Sequence, residues 1–177
     1  MKGGRRTKMT TNNYMHFVKS LLLQDKKLRT FACDTVDYFL KNYMPVKNTQ
    51  LNSIPSIIQG AGLDGLKKLI DQQKSKNTNK RNKMFWEFMH QLINEESETT
   101  ISLRKFVIDE LRDKTDDSGK PALDNESDYS EKREKKRVKN ENKKRVDTVI
   151  TELIKPFFEH FNCDYSYKTI GEGSIKK

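Results

Sequence analysis

The sequence predicts an all-α protein, a single-domain bundle of five or six helices. Two observations carry that expectation. Apolar residues recur at three- and four-residue intervals through most of the chain, and no segment shows a convincing strand pattern. The chain has 177 residues, enough for one domain with a real core.

Residues 1–10 read as a flexible basic tail, with Lys2, Arg5, Arg6 and Lys8 and no acid. The first helical stripe is Tyr14, Phe17, Val18, Leu21 and Leu22, with Thr11 or Asn12 as its cap. The second is Leu28, Phe31, Ala32, Thr35, Val36, Phe39, Leu40 and Tyr43, stopped by Pro45. Residues 46–52 read as a polar loop. Ile54, Ile57, Ile58, Ala61, Gly62, Gly65, Leu66, Leu69 and Ile70 then form a third stripe, with Pro55 suited to a first turn. Its glycines either line the apolar face or mark a break near Gly60–Gly62, with Leu63 opening a second helix.

Residues 74–83, "KSKNTNKRNK", hold five cations and no acid and read as loop-like. Phe85, Phe88, Met89, Leu92 and Ile93 form the next stripe, with Trp86 on it or at its edge, and Leu103, Phe106, Val107 and Leu111 another. Residues 114–130 are an acidic loop punctuated by Gly119 and Pro121. Residues 131–145 hold nine basic and three acidic residues and suit a solvated extension of the last helix. That helix carries Val146, Val149, Ile150, Leu153, Ile154, Phe157 and Phe161, with Pro156 expected to kink or end it. The domain organisation expected is a helical domain over 11–162, interrupted by a charged loop or insertion at about 114–145, with a loose tail over 163–177.

The chemistry expected is binding, with no cofactor, no metal and no catalysis. Gly60, Gly62 and Gly65 spell the dinucleotide fingerprint G-x-G-x-x-G, but that site needs a strand before the loop and a parallel sheet beside it. Here the position about 20 residues on is near Glu87, inside an aromatic helix pattern. His16, His90 and His160 lie far apart, without metal-ligand spacing. Cys33 sits beside an apolar stripe and reads as packing, and with Cys163 it makes neither a disulfide framework nor a zinc site. The carboxylate pairs Asp34 with Asp37 and Glu95 with Glu96 suit a solvated helix face. A basic N-terminus without an apolar h-region, and no apolar run of membrane-spanning length, give a soluble, cytoplasmic protein as the expectation.

The formal net charge of +10 and pI of about 9.5 favour an acidic partner, most simply nucleic acid. Three basic clusters stand out: the N-terminal tail, residues 74–83 and residues 131–145. Glutamates interleave the last and offer local pairing. None interrupts 74–83, and Lys67 and Lys68 extend it. No helix presents an Arg/Asn recognition set, so backbone contact without base reading is expected.

Pro55, Ile58, Gly62 and Leu63, in "IPSIIQGAGLDGLKKLI", resemble the P-x-x-I-x-x-x-G-L pattern of the small subunit of Cmr-type, type III-B CRISPR effector complexes. That pattern follows a helix with an inner alanine, as Ala32 does in "LRTFACDTV". The resemblance spans about residues 26–72, and 114–145 looks like an insertion relative to shorter members. It implies a non-catalytic, all-helical subunit in a ribonucleoprotein of antiviral defence. Several copies stack in a filament beside other effector subunits and meet the backbone of guide RNA and target RNA. The RNA-contacting candidates, chosen by charge, are Arg29, Lys67, Lys68, Lys74, Lys76, Lys80, Arg81 and Lys83. Two other readings stay open: a stand-alone helical nucleic-acid-binding or regulatory protein using 131–145, and a helical scaffold for protein partners.

Overall fold

The structure, a computed structural model, describes residues 11–22, 24–76, 79–94, 101–112, 114–115, 119 and 121–173. Six α-helices account for most of them: α1 (Thr11–Leu22), α2 (Asp25–Asn42), α3 (Asn48–Lys76), α4 (Lys80–Asn94), α5 (Leu103–Leu111) and α6 (Lys132–Gly173). A short 3-10 turn, Glu126–Asp128, and an isolated bridge between Thr115 and Pro121 are the other elements among the described residues. The all-helical bundle read from the sequence is what the chain forms.

α6 is the post of the bundle. Val146, Val149, Ile150, Leu153, Ile154, Phe157, Phe158, Phe161 and Tyr165 are buried along it, and α1, α2, α3 and α5 all pack on it. α4 packs on α3 and α5. It inserts Phe88 toward the centre, with ring centroids 4.7 Å from Phe39 and 6.2 Å from Phe161. Phe31 of α2 stacks on Phe106 of α5 at 4.6 Å. Both stripes read on α1 and α2 point inward, except that Leu22 is exposed; the side chain of Tyr14 and the tail 1–10 lie outside the described residues.

Several boundaries differ from those read in the sequence. Helix α6 does not end at Pro156. The proline costs about 3 kcal/mol in a helix interior, but Leu153, Ile154, Phe157 and Phe158 around it are each fully buried, and each such side chain contributes about 1.5–3 kcal/mol. Nor is the chain loose from Cys163: α6 continues through Gly173, and residues 174–177 lie outside the described residues. Two polar ties hold that end. The Tyr165 hydroxyl donates to the Val46 carbonyl and accepts from the Val46 N–H, both at 2.8 Å. Lys168 reaches Asp37 of α2 at 2.7 Å and Asp164 one turn back at 2.8 Å. One aromatic and one lysine carry this segment, too little to show as a stripe.

The segment 46–52 is not all loop, because α3 begins at Asn48. Pro55 therefore stands in the second turn, not the first. It has no N–H to give the carbonyl of Leu51, and Asn162 of α6 donates to that carbonyl at 3.5 Å instead. The basic stretch 74–83 is likewise mostly helix, the end of α3 and the start of α4. The charged insertion divides in two. Its second part, from Lys132, is helix continuous with α6. Its first part folds back on that helix. Asn142 exchanges two hydrogen bonds with the backbone of Asp124, at 3.0 and 2.8 Å, and Arg145 pairs with the Asp124 carboxylate at 3.1 Å.

The three clustered glycines do three different things. Gly62, with φ 65° and ψ −173°, breaks α3 into two arms. The break brings the second arm hard against the first, so that a Cβ on Gly65 would lie 2.3 Å from the Cβ of Ala61. Gly60 is exposed and has open space around it.

Two predictions follow from this packing. Gly62→Ala should cost about 1–2 kcal/mol through its left-handed backbone, and Gly65→Ala about 1–3 kcal/mol through overpacking. Gly60→Ala should instead gain up to about 1 kcal/mol, and thermal melts of the three variants would separate them. The second concerns alkaline pH. Burial raises the Tyr165 phenol above its ordinary 10.0, against the Val46 hydrogen bond and the charge of Arg81. Burial works to lower Lys168, but its hydrogen bonds to Asp164 and Asp37 outweigh it and raise the amine above 10.5. In each case the folded chain holds a proton that the unfolded chain has already lost. Stability is therefore full below pH 10 and falls as pH climbs through these values, which a melting series against pH reads directly.

Candidate nucleic-acid interface

The end of α3 and the start of α4 concentrate charge. Asn79 caps α4, its side-chain oxygen accepting from the N–H of Arg81 at 3.0 Å and of Asn82 at 3.4 Å. Gln50 donates to the side chain of Asn82 at 3.1 Å and fastens this turn to the start of α3. Lys80, Arg81 and Lys83 then occupy the first turn and its edge, where α4 has no acid. Cations are unfavourable there by about 0.3–1 kcal/mol each, because the helix N-terminus is itself the positive end of the dipole. Lys74 and Lys76 lie in the last turn of α3.

These five cations form no ion pair among the described residues. Some cations elsewhere do pair: Lys27 with Glu110, Lys105 and Arg112 with Asp109, Arg137 with Glu141, Arg145 with Asp124, and Lys168 with Asp37 and Asp164. Others, Arg29, Lys68, Lys132, Lys135 and Lys136 among them, do not within the described residues, and what distinguishes 74–83 is five cations in ten residues with no acid between them.

The other three predicted residues stand elsewhere. Arg29 is exposed on α2, beside Cys33. Burial raises that thiol first, Asp164 and Asp34 add to the rise, and Lys168 and Arg29 oppose it. Lys68 is exposed on the second arm of α3. Its neighbour Lys67 is drawn inward to Asp147 of α6, at 3.1 Å. The charge of Arg81 acts instead on Tyr165, about 27 Å of helix further along α6. Five of the eight candidates thus lie at two consecutive helix ends, the last turn of α3 and the start of α4, and Lys67 belongs to a second place.

That second place centres on Asp147, whose Oδ1 accepts from both Lys67 and Arg104. Arg104, on α5, is only 2% exposed and also donates from Nε to the carbonyl of Ile93, at 3.4 Å. One carboxylate thereby joins α3, α5 and α6, with the end of α4 attached through Arg104. Beside it opens a cleft of about 410 Å³ lined by Lys67, Asp71, Asn94, Arg104, Lys139 and Lys143. Sequence reasoning missed Arg104 and Asp147. The signal was present for Arg104, which falls on the register of Val107, Ile108 and Leu111, an apolar stripe broken by a guanidinium.

The histidines take separate carboxylates: His160 meets Asp25 at 2.7 Å and His90 meets Asp71 at 3.9 Å, while the side chain of His16 lies outside the described residues. No group of three His, Cys, Asp or Glu able to hold a metal occurs among the described residues, and no described helix is long and apolar enough to cross a membrane. Comparison with protein-family models, with curated proteins and with solved structures returns no match for this chain.

Breaking the junction from the carboxylate side strands a buried guanidinium. Asp147→Asn should cost about 2–3 kcal/mol, below the full penalty of a buried pair because Asp147 itself is partly exposed. Lys67→Met, whose amine lies nearer water, should cost under about 1 kcal/mol. Chemical denaturation of the two variants checks both.

Proposed function

We propose that this chain is a non-catalytic, cytoplasmic RNA-binding subunit of a type III CRISPR effector complex, meeting guide and target RNA through their backbone. The observation that carries the reading is the charge at two consecutive helix ends, where Lys74 and Lys76 of α3 and Lys80, Arg81 and Lys83 of α4 have no carboxylate partner among the described residues. A phosphate there relieves the repulsion among the cations and the unfavourable helix end together. Lysine-rich surfaces of this kind meet phosphates as point charges and fix position without reading sequence.

Two further features support a place in a larger assembly. The residues that resemble the small-subunit pattern, Pro55, Ile58, Gly62 and Leu63, fall in α3 around its break. Tyr167 and Ile170, 80% and 66% exposed near the end of α6, give an apolar surface for a neighbouring subunit or a further copy of the chain. A stand-alone duplex-binding protein is the second reading, favoured by the exposed basic helix that opens α6.

The test is RNA binding by the full chain across a salt series. Replacing Lys80, Arg81 and Lys83 together by Gln should weaken single-stranded RNA binding and lower the slope of log K against log salt by about 2. Replacing Lys132, Lys135 and Lys136 should leave that slope unchanged. If the second set alone matters, and for duplex DNA, the stand-alone reading replaces the first.

A further inference from the structure

We infer that the acidic segment Asp124–Glu131 is a tethered counter-anion that competes with nucleic-acid phosphates for the basic opening of α6. The path of the chain lays the two side by side. Asn142 holds the backbone of Asp124 at 3.0 and 2.8 Å, and Arg145 holds its carboxylate at 3.1 Å. The chain then enters α6 at Lys132. Between Lys132 and Asn142 that helix rises about 15 Å, so residues 125–131 run back along it to reach its start. On the way the 3-10 turn Glu126–Asp128 packs on α6. The segment carries Asp124, Glu126, Asp128 and Glu131 and no cation. Of the four carboxylates, Asp124 alone forms a fixed ion pair among the described residues, and Glu126 and Asp128 are exposed.

The helix docks this segment on one side and shows lysines on the next. Val138, Asn142 and Arg145 share a sector of about 60° at the helical rotation of about 100° per residue. Asn142 and Arg145 bind the segment there, and Val138 is 2% exposed although it stands apart from the main core. Lys132, Lys135 and Lys136 fill the adjoining sector, and all three are exposed without an ion pair among the described residues. A helix with its side chains is about 10–12 Å across, and the Debye length at 0.1 M salt is about 10 Å, so the carboxylates act on these lysines with little screening. Their effect on binding follows from the tether. A small counterion displaced by a phosphate leaves for bulk solvent and drives association, whereas a carboxylate on the chain stays beside the site and repels the incoming strand. The opening of α6 is thereby quieter toward nucleic acid than its sequence suggests, in keeping with the unchanged salt slope expected for these three lysines.

None of these residues is among the predicted RNA contacts, so the assignment stands or falls apart from the RNA reading. The test is binding of a short duplex DNA of mixed sequence to the full chain, followed by fluorescence anisotropy across a chloride series. Glu126→Gln/Asp128→Asn should tighten binding by about threefold to tenfold and steepen the slope of log K against log salt by about 1. The charge-matched control Asp34→Asn/Glu159→Gln removes the same charge from exposed positions on α2 and on the far half of α6, and should stay within about twofold of the parent. The gain should disappear when Lys132, Lys135 and Lys136 are also replaced by Gln, a non-additivity that ties the carboxylates to those lysines. All four acids are exposed, so the variants should fold, which their melting curves verify. No gain in Glu126→Gln/Asp128→Asn, an equal gain in the control, or a gain that survives the lysine replacements overturns the assignment.

Discussion

Burial of one stripe along α6, from Val146 to Tyr165, is the interaction on which the other helices depend. α1, α2, α3 and α5 bury their own apolar faces against it, and α4 joins them through the aromatic cluster around Phe39 and Phe161. The stripe is strong enough to carry the helix through Pro156. The polar ties at its two ends then set how the surrounding helices align: Asp147 collects Lys67 and Arg104, and Tyr165 holds the backbone of Val46. An apolar post of this kind is tolerant about rotation. Hydrogen bonds with fixed partners are not.

The charge distribution has a similar logic. A minority of the surface cations settle against carboxylates, Lys27 and Arg145 across elements and Lys105 and Arg137 within their own helix, which adds little stability. The rest gather mainly in two runs of sequence, the facing ends of α3 and α4 and the opening of α6. The net charge of the protein is thus less informative than the runs in which neighbouring acids fail to balance it.

The fold class was legible because each helix repeats its apolar spacing over several turns. The stripes on α2, α4, α5 and α6 place their residues where the periodicity puts them, and that on α3 does so except at Ala61, which the break at Gly62 leaves exposed. What was illegible was set by partners remote in sequence. Pro55 sits inside a helix because Asn162 serves the carbonyl it leaves open, and the two are more than a hundred residues apart. The end of α6 depends on Tyr165 finding Val46, which leaves no local pattern. Five of the charged candidates were found by charge density and adjacency in sequence. Arg104 and Asp147 were missed because their pairing joins residues 43 apart in sequence, which leaves no local pattern. Lys67 was grouped with Lys68, although a rotation of about 100° on the helix sends one toward Asp147 and the other outward. The glycine spacing pointed toward nucleotides, yet Gly62 and Gly65 answer to backbone geometry alone.

The position of α6 in the chain has a consequence for synthesis. The helix that α1, α2, α3 and α5 lean on is made after them, and contacts such as His160 with Asp25 and Lys168 with Asp37 close loops of 135 and 131 residues. The faces that α1, α2, α3 and α5 turn to α6 therefore leave the ribosome uncovered and wait for that helix to arrive. Until then their stripes are open to one another, to chaperones and to neighbouring chains. The same dependence on distant contacts that makes the finished bundle cooperative makes its unfinished form the most exposed state in the life of the protein.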